Sequence, residues 1–243
     1  MAYAFVHDLA AKYHTLKGVP LVYQKTIRDS FPIFLVSQPG EQFIYSPGID
    51  WAGLMVEPVT GMKLSKFMRK NIFEPVSAHD VTFHLEQRED LRARRVTLWE
   101  RDMTDLKEVT DFWWPDPAID DIGGGGIYTT VHDLLKIYLG VLQGKLLHST
   151  TLKVMFSPQL ESRKGLDVPE IYNVNSRNAI YNSIPNDIPS DFGIGGLVNT
   201  EKWLDINKGI AGVYLSQLLP TGDEKAIELL TEFEKAVYLI LEE

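Results

Sequence analysis

A chain of 243 residues with 44% hydrophobic and 11% aromatic side chains can bury about 70–75% of its unfolded surface, and a charged fraction of 23% is ordinary, which argues against disorder. Thirty-three acidic against 24 basic residues leave a net charge of −9, and Arg92, Arg94 and Arg95 are interleaved with Glu86, Glu89 and Asp90, which argues against a nucleic-acid partner. The absence of cysteine excludes disulfides, thiolate metal sites and a cysteine nucleophile.

Met1 to Ala11 shows no basic leader followed by an apolar core, and no apolar run approaches the length of a membrane span, so a soluble, cytoplasmic protein with no membrane partner is expected. Phe5, Val6, Leu9, Ala10 and Tyr13 have helical spacing until Gly18 and Pro20 break it, which predicts a short helix and a loop. Ser46-Pro47 reads as a helix start, with the serine as cap and proline at the first helical position, and the helix runs to about Pro58. A second helix carries Leu64, Phe67, Met68 and Ile72 and ends at Phe73-Glu74-Pro75. Residues 80–120 read as irregular surface structure with short β-type runs and a turn cluster around Trp113 to Pro117.

Thr130 is positioned to cap a helix bearing Leu134, Leu135, Tyr138, Leu139 and Leu142. A further helix near 149–156 ends at Ser157-Pro158, and the polar stretch 161–190 reads as a long loop. From Phe192 the pattern changes to an antiparallel meander, with strands at 193–198, 203–205 and 210–215 and turns at Asn199 and at Asn207 to Gly209. Thr221 to Glu224 forms a capping box, and the following helix places Ile227, Leu230, Phe233, Val237 and Leu241 on one stripe to lie on the sheet. The fold class is therefore α+β.

Several chemically suggestive residues have ordinary explanations. The six histidines offer no convincing ligand pair, and His7 and His14 read as surface positions, so neither a metal nor a cofactor is expected. Gly123 to Gly126 is followed by no Lys-Ser or Lys-Thr, so a structural turn is favoured over a phosphate loop. Asp116, Asp120 and Asp121 read as a solvated turn rather than paired acid/base carboxylates, whereas Trp113 and Trp114 fit either a substrate mouth or a core cover.

Three stretches carry a resemblance. The first is Phe43-Ile-Tyr-Ser-Pro-Gly-Ile-Asp-Trp-Ala-Gly53 with Val56-Glu57, Thr60-Gly61 and Ile72 to Pro75. The second is Gly123-Gly-Gly-Gly-Ile-Tyr-Thr-Thr130 with Asp133-Leu134, then Leu146-Leu147, Met155-Phe156 and Pro158 to Leu160. The third is Gly193-Ile-Gly-Gly-Leu-Val-Asn199 with Trp203 and Asp205, Gly209 to Tyr214, and Gln217 to Pro220. In order and spacing they resemble the class C β-lactamase-like serine hydrolases and transesterases, of the esterase and lovastatin acyltransferase type. That resemblance implies an incomplete β-lactamase and penicillin-binding-protein-like fold as one domain over 1–243, mainly helix and loop in 1–190, with antiparallel strands and a packed C-terminal helix in 191–243.

In that family a Ser-x-x-Lys motif supplies nucleophile and base, a tyrosine acts as acid/base, and a sheet strand supplies oxyanion contacts. The resemblance puts the tyrosine at Tyr45, where Ser46-Pro47 departs from the asparagine version of the motif. It puts the oxyanion and substrate-binding strand at Gly195, Gly196 and Leu197, with the Leu197 amide as one donor and Ile194 where a polar or aromatic residue is usual. No serine here has a lysine three positions on. Thr60 to Lys63, Thr104 to Lys107 and Thr150 to Lys153 have threonine, at positions the family fills with ordinary helix or loop.

The resemblance thus implies a chain that begins downstream of the family's serine helix and lacks its first strands, so covalent catalysis is not expected from this chain alone. A sheet edge left open in this way favours self-association or a partner there. The implied function is acyl transfer or ester hydrolysis on a small acyl or polyketide-like metabolite. Two alternatives stand beside it: a pseudoenzyme or small-molecule binding module, and a noncovalent isomerase or cyclase using Tyr45.

Overall fold

The computed structural model describes residues 3, 7–19, 23–110, 114–161, 163–166, 174–181, 184, 190–198, 204–206 and 208–242. The first helix, α1 (Asp8–Lys17), begins at His7, whose Nδ1 accepts the Leu9 amide at 3.2 Å. It closes at Gly18, where φ of +63° lets the backbone amide turn back to the His14 and Thr15 carbonyls. His7 is thus a cap and His14 is buried at 5% exposure, so the surface reading of His14 is corrected. Thr26 caps α2 (Ile27–Ser30) by accepting the Asp29 amide.

The helix read from Ser46-Pro47 is α3 (Gly48–Thr60), with Pro47 at the N-cap position and no side-chain cap. Ser46 lies one residue too early to reach the free amides, so its expected capping role is not realised. The next helix, α4 (Leu64–Met68), passes into a π-helical turn at Arg69–Phe73 and a 3₁₀ turn at Glu74–Val76, which gives the expected run to Pro75.

Residues 80–120 hold more order than their composition suggests. Strand β1 (Val81–Thr82) is followed by α5 (Glu89–Arg92), then β2 (Trp99–Asp102) and β3 (Asp105–Glu108) pair antiparallel around Met103, at φ +55°. The irregular reading is corrected there. Their strand residues are mainly exposed and charged, so no alternation marks a buried face in the sequence. Strand β4 (Tyr128–Thr129) pairs with β1 and leads into α6 (Val131–Leu142), where Thr130 accepts the Asp133 amide at 3.2 Å as expected. Helix α7 (Ser149–Met155) follows, and α8 (Val174–Tyr181) interrupts the stretch read as a long loop.

The C-terminal strands are β5 (Asp191–Gly193), β6 (Gly196–Val198), β7 (Leu204–Asp205), β8 (Ile210–Ala211) and β9 (Leu218–Leu219). The expected single meander is instead two hairpins, β5 with β6 and β7 with β8, while β9 pairs in parallel with β2. Gly193 to Val198 is not one strand, because its glycines supply a two-residue turn at Ile194-Gly195. Trp113, Asn199, Trp203 and Asn207 lie outside the described residues.

The last helix, α9 (Glu224–Glu242), is capped by Asp223, whose Oδ1 accepts the Ala226 amide at 3.0 Å. Arg101 of β2 grips the same carboxylate at 2.6 and 3.3 Å. Leu230 is buried at 5%, whereas Phe233 and Leu241 are 43% and 52% exposed, so the stripe packs at its N-terminal end and opens further on. Burial opposes the charge on Asp223, but Arg101 and the Ala226 amide outweigh it and hold the carboxyl below its usual range. A carboxyl depressed in the folded state contributes stability above its unfolded value, about 3.9, and loses it as pH falls through the lower folded value. Urea unfolding of Asp223→Asn is expected to show a loss of about 1–3 kcal/mol at pH 7 that shrinks once pH drops below about 3.9.

Among the described residues, two cores lie in the helical part. One gathers Tyr3, Ile27, Phe31 and Ile122, with Tyr23, Trp51, Leu54 and Trp114 packed against it. The other joins Phe73, Ala78 and Val81 with Met68, Ile72 and Ile137. Trp114 therefore covers the first core. Helices around short strands, with a C-terminal helix, make the α+β architecture expected from the sequence.

Candidate active site

Tyr45 stands just before α3, and the chain around it is fixed from two sides. Phe43 donates its amide to the Lys164 carbonyl at 2.7 Å and stacks its ring on Phe192 of β5 at 4.6 Å. Two residues on, the Tyr45 ring leans on Tyr3 with centroids 5.6 Å apart, and it remains 39% exposed. The segment that carries the phenol is thus tied to the strand whose hairpin carries Gly195, Gly196 and Leu197.

Five residues beyond Tyr45 lies a carboxylate that is wholly buried. Asp50, in the first turn of α3 and 0% exposed, accepts the Tyr3 hydroxyl at 3.2 Å and the Gly124 amide at 2.8 Å. The Tyr23 hydroxyl donates to that of Tyr3 at 3.5 Å. Gly124 has to be glycine here, because a Cβ would meet both Asp50 oxygens at 2.8 Å. The glycine run is a structural turn, as expected, and it seats its loop against α3.

These contacts set the charge states. Burial first, and the Asp50 carboxylate second, push the Tyr45 phenol above its ordinary value. Burial likewise pushes Tyr23 up to about 12. Tyr3 moves far upward through burial and its bond with Tyr23. Burial raises Asp50 itself, against the pull of the Gly124 amide and the Tyr3 hydroxyl. A phenol in this setting is protonated at neutral pH and donates hydrogen bonds; acting as a base would require a cation beside it.

The hairpin pairs Gly193 with Gly196 and Phe192 with Leu197. The Gly195 amide donates to the Met155 carbonyl at 2.9 Å, and Gly196 has φ of +139°. The Phe192 carbonyl accepts the Gln159 amide at 2.9 Å, so the end of α7 holds both sides of the turn.

A groove of about 1180 Å³ lies elsewhere, lined by Leu98, Trp114, Tyr128, Tyr138, Gln217 and Leu230 among others, and neither Tyr45 nor the hairpin borders it. Of the aspartates read as a solvated turn, Asp116 is exposed as expected, whereas Asp120 and Asp121 are structural anchors, which corrects that reading for these two. Asp120 accepts the Ile27 amide at 2.9 Å. Asp121 is 2% exposed, accepts the Ser65 amide at 2.6 Å and meets His84 Nε2 at 2.8 Å. Asp116 pairs with Arg92 at 2.5 Å.

Sequence reasoning passed over Tyr3, Tyr23 and Asp50. The signal for Asp50 was available: a single acid inside the apolar run Gly48-Ile-Asp-Trp-Ala-Gly-Leu-Met-Val56. Such a residue is either exposed or partnered inside, and the structure shows the second.

Comparisons with known proteins find relatives along nearly the whole chain. The ML-236A carboxylate methylbutanoyltransferase of Penicillium citrinum is 26% identical over 98% of this chain and 63% of its own length. The lovastatin esterase of Penicillium rubens is 36% identical over 65% of this chain and 41% of its own length. A solved mutant of simvastatin synthase from Aspergillus terreus superposes with a TM-score of 0.85 at 28% identity, covering 98% of this chain and 63% of that one. The chain therefore spans less than two thirds of the length of these relatives. Its fold is the α+β fold of the β-lactamases and penicillin-binding proteins, with the C-terminal helix in place. The family model described as Beta-lactamase matches residues 6–235, nearly end to end, and the chain belongs to that family.

Proposed function

We propose that this chain supplies the tyrosine and oxyanion parts of an acyl-transfer or ester-hydrolysis site acting on a small acyl or polyketide-like metabolite. Residues 1–243 form a single domain in this reading, with serine and lysine contributed by a Ser-x-x-Lys segment outside the sequence described. Tyr45 handles the proton at the ester oxygen, and Gly195, Gly196 and Leu197 form the substrate-facing edge.

The observation that carries the reading is the Phe43–Phe192 stack, which couples a half-exposed phenol to the glycine hairpin. Antiparallel pairs alternate between bonded and non-bonded positions, so with Gly193 and Gly196 flanking the turn, the Leu197 amide lies on the side of β6 turned away from β5. An amide on a rigid strand is the donor an oxyanion needs. The acyltransferase and esterase relatives support the reaction class.

A serine hydroxyl becomes a nucleophile once a neighbouring base takes its proton. Mixing the chain with a polypeptide bearing Ser-x-x-Lys and a fluorogenic short-chain ester is therefore expected to give a burst of acyl-enzyme. Turnover by the chain alone that survives Tyr45→Phe would contradict the reading. A second reading, a binding module without covalent catalysis, draws on the sequence given, in which no serine has a lysine three positions on. Ligand binding without turnover, unaffected by Tyr45→Phe, would favour it.

A further inference from the structure

We propose that Asp50 is a positioning residue of the Tyr45 site: clamped between the Tyr3 hydroxyl and the Gly124 amide, it fixes the ring on which Tyr45 leans and adds a buried negative charge to the surroundings of the Tyr45 hydroxyl. The inference rests on the reading of Tyr45 as the residue facing substrate.

The geometry has three parts. Asp50 is 0% exposed, so its carboxylate has no access to bulk water and its interactions are set by protein groups. Those groups come from separate stretches of chain, Tyr3 at 3.2 Å from the N-terminal segment and Gly124 at 2.8 Å from the glycine loop. Tyr3 is itself wedged, with its ring edge-on to Phe31 at 5.3 Å and its hydroxyl taking a bond from Tyr23. Asp50 therefore locks Tyr3, and Tyr3 gives Tyr45 its wall at 5.6 Å.

The charges acting around Tyr45 follow the same arrangement. Tyr3 and Tyr23 contribute phenols, and α3 contributes Asp50. The Asp50 carboxylate disfavours a second negative charge on the Tyr45 phenol. A purely structural Asp50 would hold the loop and the Tyr3 ring, but its removal would leave the ionisation of Tyr45 unchanged.

That difference gives the test. A fluorinated tyrosine, acidic enough to titrate within the pH range a folded protein tolerates, is placed at position 45 and followed by ¹⁹F NMR. Asp50→Asn keeps an oxygen for the Gly124 amide and deletes the charge, and it is expected to move the midpoint to lower pH. The same label at Tyr138, whose upward shift comes from burial, is expected to stay where it was. Asp50→Ala serves as a second variant with the same expected direction.

An unmoved Tyr45 midpoint in a folded variant overturns the inference. So does failure of both variants to fold, since Asp50 would then be a folding determinant instead. Ester turnover is scored separately: if Tyr45→Phe retains full activity while the midpoint shifts, the reading of Tyr45 fails and the Asp50 linkage stands. If Tyr45→Phe abolishes activity while the midpoint stays put, the reverse holds.

Discussion

Tyr45→Phe is expected to lower acyl-transfer turnover by about 10²- to 10⁴-fold in an assembly that contains the serine and lysine, the range for loss of a positioned proton-transfer group. Phenylalanine keeps the ring that leans on Tyr3 and removes only the hydroxyl, so unfolding temperature is expected to stay close to that of the parent. The pH dependence follows from the direction of the shift. Burial and Asp50 raise the phenol, so the protonated form persists through the neutral range, and activity that needs it falls as pH rises through the raised value. Single-turnover rates of the parent and of Tyr45→Phe from pH 6 to 11 check this, and a rise with pH in the parent that the variant lacks would mean that the phenolate is the working form.

Ile122→Ala is expected to destabilise the protein by about 2–5 kcal/mol, the range for truncating a fully packed aliphatic side chain. Ile122 is 2% exposed at the centre of the core formed by Tyr3, Ile27 and Phe31. It also lies two residues before Gly124, so the cavity would open under the loop that holds Asp50. Ile119 is 61% exposed, and Ile119→Ala is expected within about 0.5 kcal/mol of the parent. Urea midpoints of the two variants provide the comparison, and equal losses would mean that the loop is not anchored through this core.

Parts of this architecture were legible because local chemistry decided them. Thr130 capped its helix as read, and Leu64 to Pro75 ran as read, since both depend on neighbours within a few residues. The β2–β3 hairpin escaped because its strand residues are exposed and charged and face no core. The glycine hairpin was read as one strand because each of its short strands carries too few side chains to show a period of two. Asp121 and His14 were assigned to the surface by residue type, yet contacts from distant segments bury them. Of the candidate site, Tyr45 and Gly195 to Leu197 were reached through the family resemblance. The Tyr3–Asp50–Gly124 clamp joins residues more than 40 positions apart, and no local pattern in the sequence marks such a contact.

On the proposed function, Tyr45 and the Leu197 amide face one ligand. Titrating a non-hydrolysable acyl thioether into ¹⁵N-labelled chain carrying a fluorinated tyrosine at position 45 tests it directly, with the Leu197 amide and the fluorine as two reporters. Both signals are expected to shift along a single isotherm with one dissociation constant. Saturation of one reporter with no response from the other would contradict it.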